Sequence, residues 1–207
     1  MKTIIKNKNR IRVLILGDSL ALPRPGVQLN ETYGSLLQRE LSKTNLEAEV
    51  INRAKGAQSI IGIHEKLSNH LSEFQPDIVI LHVGIVDCWP RNEFKGLPQT
   101  SLQQFSIYYN RIINLIKNRK QTKLIIIGIC PTSKRMDTKY PGTLQQIKEY
   151  NRILMSEGNQ QQIFFIDMEK HISLDHLNTY LLPDDQHLNP AGNKLVYNLI
   201  NELLMKV

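Results

Sequence analysis

The sequence predicts an α/β fold: a parallel five-stranded sheet in the order 2-1-3-4-5 with helices on both faces. Three observations predict it. Short apolar, β-branched runs recur along the 207 residues, each short enough to be a strand buried on both faces. Longer segments with apolar residues three and four apart separate them. The balance of 41% hydrophobic and 22% charged residues is that of a globular chain, which excludes collagen-like, disordered and coiled-coil classes. Parallel neighbours need crossovers that cover the sheet, so the alternation implies a doubly wound, flavodoxin-like three-layer sandwich. One domain over residues 1–207 is expected, with a basic segment at residues 1–10.

The elements follow in order. The strands are read at Val13–Leu16, Ala48–Ile51, Asp77–Val83, Lys123–Cys130 and Ile163–Asp167. Ile60, His64, Leu67, Leu71 and Phe74 lie on one helical face, as do Leu102, Phe105, Tyr109, Ile112 and Ile116. Ser101 with Gln104, and Thr143 with Gln146, are capping-box patterns. Asn189 and Pro190 read as N-cap and first residue of a last helix with Leu195, Leu199 and Leu203 on its apolar face. Loops are expected at Gly84–Thr100, Pro131–Gly142 and Gly158–Gln162. The first two follow strand carboxyl ends, where ligands bind in such sheets.

Charge and cysteine usage narrow the setting. The net charge of +7 favours anionic partners, but no zinc-finger, helix-turn-helix or RNA-recognition signature accompanies it, so nucleic acid is not expected. Lys2, Lys6, Lys8, Arg10 and Arg12 crowd the N-terminus without a signal-peptide apolar region after them. No apolar run approaches a membrane span. Two cysteines, Cys88 and Cys130, form no disulfide framework. A cytoplasmic location is expected. His171 and His176 lack metal-ligand spacing, so no metal and no cofactor is expected.

The chemistry should sit where the strands end. Gly17, Asp18, Ser19 and Leu20 follow the first strand, and Asn52 through Gly56 the second. Gly84 through Asp87 follow the third, and Asp184 through His187 precede the last helix. A serine hydroxyl is a poor nucleophile until a base takes its proton. His187 is the candidate base. Asp184, three residues earlier, can reach Nδ1 and fix the tautomer. No G-x-S-x-G elbow surrounds Ser19, which disfavours an α/β-hydrolase.

Gly17–Leu20 reads GDSL, a glycine stands in the loop after the second strand, G-x-x-D follows the third, and D-x-x-H precedes the final helix. In that order the chain resembles the GDSL or SGNH hydrolases, which are serine esterases, lipases and carbohydrate acetylesterases. The resemblance implies Ser19 as nucleophile, His187 as base and Asp184 as its orienting acid. It further implies an oxyanion hole from the Ser19 and Gly56 amides. The strings GDSLALPRPG and GIVDCWPR resemble a subgroup encoded among bacterial surface-polysaccharide genes. One block departs. The family's Gly-x-Asn-Asp is Gly84-Ile85-Val86-Asp87 here, and valine cannot donate to an oxyanion. Loss of such a donor costs about 10²–10³ in rate. Val86 is expected to face the site where the asparagine amide would be. Trp89 and Arg91 are the nearest replacement donors. Asp18 and Asp87 are further candidates for substrate contact or loop bracing.

The implied activity is removal of O-acyl groups, most plausibly O-acetyl, from a carbohydrate. The same three residues serve an acyltransferase if a sugar hydroxyl replaces water, and a glycan-binding homologue weakened at Val86 is a further reading. A phospho-receiver domain would use Asp18, Asp87, Thr132 and Lys170, but it leaves Asp184 and His187 without a purpose. No G-x-G-x-x-G or P-loop is present for a nucleotide.

Overall fold

The computed structural model describes residues 10–44, 47–156, 158 and 162–206. Strand β1 (Arg10–Gly17) pairs in parallel with β2 (Glu47–Asn52) on one side and β3 (Ile78–His82) on the other. β4 (Lys123–Ile127) and β5 (Ile163–Ile166) complete an all-parallel sheet in the order β2-β1-β3-β4-β5, as the sequence predicts. The strand order reverses beside β1, so the switch point lies at its carboxyl end.

Helices α1 (Tyr33–Leu41), α2 (Ile60–Phe74), α3 (Ile85–Cys88), α4 (Leu102–Lys117), α5 (Lys134–Lys139), α6 (Thr143–Met155), α7 (Leu177–Tyr180) and α8 (Pro190–Lys206) connect the strands. Successive strand residues point to opposite faces and build two cores. Leu14, Leu16, Val79, Leu81, Leu124 and Ile126 join one apolar cluster with residues of α2, α4 and α6. Val13, Ile15, Ile78, Ile80, Ile125 and Ile127 join the other with residues of α1 and α8. Each fully buried aliphatic side chain contributes about 1.5–3 kcal/mol over exposure.

Several local expectations are corrected. β4 stops at Ile127, three residues short of the predicted end, because the Asn151 side chain replaces the ladder. Its Oδ1 accepts from Ile129 N–H at 2.7 Å and its Nδ2 donates to the Ile129 carbonyl at 2.9 Å. The α6 cap is Gly142, not Thr143. Asp137 accepts the Leu144 amide at 2.8 Å, and the Thr143 hydroxyl turns back to the Tyr140 carbonyl. The expected loops at 84–100 and 131–142 contain α3 and α5. Ser101 caps α4 by accepting from Gln104 N–H at 3.3 Å, but the Gln104 side chain meets the Ser101 hydroxyl and not its amide, so the expected capping box is only half formed; Asn189 accepts from Gly192 N–H at 2.9 Å, as expected. Arg10 opens β1 and pairs with Glu47 and Glu49, whereas Lys2, Lys6 and Lys8 lie outside the described residues. Residues 159–161 of the expected Gly158–Gln162 loop also lie outside them.

Candidate active site

The site begins with a close approach between strands. A Cβ at Gly17 would stand 2.4 Å from the His82 carbonyl oxygen, so only glycine lets β1 end this near β3. Asp18 N–H donates to that same carbonyl at 3.2 Å, and the chain turns into a single 3-10 turn over Ser19–Ala21. The Asp18 carboxylate caps the turn by accepting from Leu20 N–H at 2.9 Å. Ser19 is thereby held at the switch point, half-buried.

His187 meets it from the other end of the chain. Ser19 Oγ and His187 Nε2 are 2.9 Å apart. His187 Nδ1 lies 2.7 Å from Asp184 Oδ2, while Asp184 Oδ1 accepts the backbone amides of Gln186 (3.0 Å) and His187 (2.9 Å). With Nδ1 donating to the carboxylate, Nε2 is left free to accept the serine proton. Burial holds the His187 pKa below its ordinary value, against the opposing pull of Asp184. Partial burial would raise the Asp184 carboxyl, but the hydrogen bonds from His187 and Gln186 carry it below the usual range. The pair at neutral pH is a neutral imidazole backed by an ionised carboxylate.

The Asn52–Gln58 loop is stitched beside Ser19. Lys55 N–H donates to the Gly17 carbonyl at 3.1 Å and Asn52 Nδ2 to the Ala21 carbonyl at 2.7 Å. Gln58 N–H closes a turn onto the Lys55 carbonyl at 3.1 Å. Gly56 could have been the residue with positive φ; instead Ala57 occupies the left-handed region at φ 58°. Turns of this kind place positive φ at their third position, and here that position is alanine. Gly56 is exposed, with no atom within 4 Å of where a Cβ would be. Among the described residues neither Ser19 N–H nor Gly56 N–H donates to a protein acceptor.

The remaining candidates lie deeper. Asp87 is fully buried and braces the loop: it accepts from Ile60 N–H at 3.1 Å and from the Thr100 hydroxyl at 2.6 Å. It therefore cannot reach substrate, and a phospho-receiver role for it is excluded by the same burial. Trp89 is buried edge-on against Tyr140, with ring centroids 5.5 Å apart. Arg91 is half-buried beside a short bridge to Leu97. Val86 is 3% exposed and belongs to the apolar cluster on the α2 side of the sheet. Cys88 and Cys130 are buried, and burial raises both thiols, Cys130 to about 12. His64 packs edge-on to Tyr108.

The bracing of the His187 turn by Thr132, Ser133 and Arg135 was not foreseen from the sequence. Asp185 sits in the left-handed region at φ 57°, in the turn between Asp184 and His187. The Ser133 hydroxyl donates to its carboxylate at 2.6 Å, Arg135 does so at 2.6 Å, and the Thr132 hydroxyl donates to its carbonyl at 2.7 Å. Arg135 also reaches the Pro183 carbonyl at 2.9 Å. Their sequence signal was position alone, in a long segment after a strand end.

A polar group lies beneath Ser19. Asp18 Oδ2, Tyr33 Oη and both ring nitrogens of His82 are buried without a hydrogen-bond partner. Burial pushes the Asp18 carboxyl up to about 7 and His82 down to about 3. Among the described residues no group of three or more His, Cys, Asp or Glu could hold a metal ion, and no helix is long and apolar enough to cross a membrane.

Known structures share this architecture. A lipase/acylhydrolase from Enterococcus faecalis superposes with a TM-score of 0.74 at 19% identity, covering 92% of this chain and 93% of its own. The acetyl xylan esterase AlAXEase gives 0.73 at 21%, covering 93% and 99%. An acetylxylan esterase from Geobacillus stearothermophilus gives 0.72 at 16%, covering 91% of each chain. No curated protein matches the sequence. Residues 15–195 match the GDSL-like Lipase/Acylhydrolase family, a span that carries Ser19 and His187 together. The chain therefore belongs to the GDSL-like lipase/acylhydrolase, or SGNH, family, whose members are carboxylic ester hydrolases.

Proposed function

We propose that the protein is a serine esterase that removes O-acyl groups, O-acetyl foremost, from a carbohydrate. The observation that carries this is the 2.9 Å approach of Ser19 Oγ to His187 Nε2, with Asp184 holding Nδ1. His187 takes the serine proton as Oγ attacks the ester carbonyl carbon, and Asp184 stabilises the imidazolium formed. The unengaged amides of Ser19 and Gly56 are the oxyanion donors, since hydrogen bonds aimed at developing charge are the main source of acceleration in acyl transfer. His187 then returns the proton to the leaving sugar alkoxide. Water, deprotonated by the same nitrogen, releases the acyl group from Ser19. The carbohydrate assignment draws on two fold neighbours that are acetyl xylan esterases.

The test is acetate release from O-acetylated polysaccharide, together with fluorophosphonate labelling. Labelling lost in both Ser19→Ala and His187→Ala supports the mechanism. Labelling of Ser19→Ala at the wild-type level refutes it. Because the imidazole pKa is depressed, turnover rises as pH increases through a value below the ordinary histidine range and is level at neutrality.

A further inference from the structure

A cleft of about 310 Å³ opens between the Asn52–Gln58 loop and α2, with Leu16 of β1 at its base. That is at the small end of ligand sites. Its charged lining is Arg53, Lys55 and Lys66, and no carboxylate is among the residues that line it. Among the described residues neither Lys55 nor Lys66 is ion-paired. Arg53 touches Glu73 through one nitrogen at 3.5 Å and lies over the Phe74 ring at 4.8 Å. A guanidinium has five N–H donors, so that contact leaves most of them available. His70 also lines the cleft, and its Nδ1 is buried without a hydrogen-bond partner.

Glu73 offsets Arg53 in part, so Lys55 and Lys66 leave the concavity with an excess of positive charge that an anion would balance. The position is informative too. The loop that forms the cleft wall is the one that carries Gly56 and is bonded to the Gly17 and Ala21 carbonyls on either side of Ser19. The cleft and Ser19 therefore share one loop.

We propose that this cleft binds an anionic group, a carboxylate or phosphate, carried by the ester substrate, so that the enzyme prefers acidic over neutral acylated saccharides. The substrate half of this proposal rests on the esterase reading; the anion site does not. Arg53 supplies planar paired donors for an oxyanion, and Lys55 and Lys66 supply point charges.

The experiment compares kcat/KM on O-acetylated polygalacturonate with that on O-acetylated xylan. In wild type the acidic polymer is preferred, and the preference shrinks as NaCl rises from about 50 to about 500 mM because the charges are screened. The acidic-to-neutral ratio falls at least about tenfold in Lys66→Gln and further in Lys66→Glu, the expected cost of one charge-assisted contact. A ratio unchanged in both variants, or equal losses on the two polymers, overturns the proposal. An NMR titration of the whole chain with D-galacturonate, and separately with inorganic phosphate, reads the site directly. Shifts at Arg53–Gln58 and Lys66–His70 with galacturonate, lost in Lys66→Glu, support it. Shifts with phosphate alone assign the cleft to a free anion and overturn its substrate role. If neither polymer is hydrolysed, the esterase reading fails, and the titration still decides the cleft.

Discussion

Replacing Asp18 by asparagine should stabilise the protein at neutral pH. Asp18 is fully buried; its Oδ1 accepts from Leu20 N–H, while its Oδ2 has no partner. Asparagine keeps the accepting oxygen and removes the charge. Burial raises the carboxyl from 3.8 to about 7 in the folded chain, a difference of roughly 3 pKa units, or about 4 kcal/mol at 1.36 kcal/mol per unit. The sign follows from proton counting. Between pH 4 and 7 the folded state holds a proton that the unfolded state has released, so stability is lost as pH rises across that window and is level above it. Asp87, raised to about 6, adds a slope of the same sign in both proteins. The assay is urea unfolding of wild type and Asp18→Asn at pH 4, 6 and 8. The two should be nearly equal at pH 4, and the variant more stable at pH 8 by up to about 4 kcal/mol. A variant less stable at pH 8, or a difference independent of pH, would refute the argument that the carboxyl is uncompensated.

Three further outcomes are expected. Val86→Asn lowers stability by about 1–3 kcal/mol because an amide replaces a methyl-rich side chain in an apolar cluster, a loss that thermal melts read. Arg135→Ala lowers stability by no more than about 1 kcal/mol, since its side chain is 66% exposed, yet it loosens the His187 turn and lowers kcat about tenfold with little change in KM. Gly56→Ala leaves the melting temperature within about 2 °C, because its φ is ordinary and its surroundings are open, but lowers ester turnover by crowding the acyl group, which a parallel melt and activity assay will show.

The strand order and the convergence of Ser19, Asp184 and His187 were legible in the sequence because each lies in a short segment with its own signal. Helix α1 was not named, although Tyr33, Leu37 and Leu41 recur every four residues and Thr32 caps them. Its nine residues offer only three buried large side chains, too few for periodicity to stand out. The end of β4 was misread for a different reason. Gly128–Cys130 is apolar and locally strand-like, and only a side chain twenty-two residues away tells the backbone to leave the ladder. The brace from Thr132, Ser133 and Arg135 onto Asp185 spans about fifty residues, and such polar contacts have no periodicity to betray them. The Ala57 turn was invisible because alanine carries no signal for positive φ.

The two atoms that approach at 2.9 Å belong to residues 168 positions apart. During synthesis Ser19 leaves the ribosome long before His187 is made. Asn193 of α8 fastens the late arrival by accepting the Tyr33 amide at 3.1 Å, so the C-terminal helix docks on the helix that follows Ser19. A chain made only as far as residue 186 has no imidazole to set beside Ser19. The approach of Ser19 to His187 is thus completed only once segments from both ends of the fold are in place.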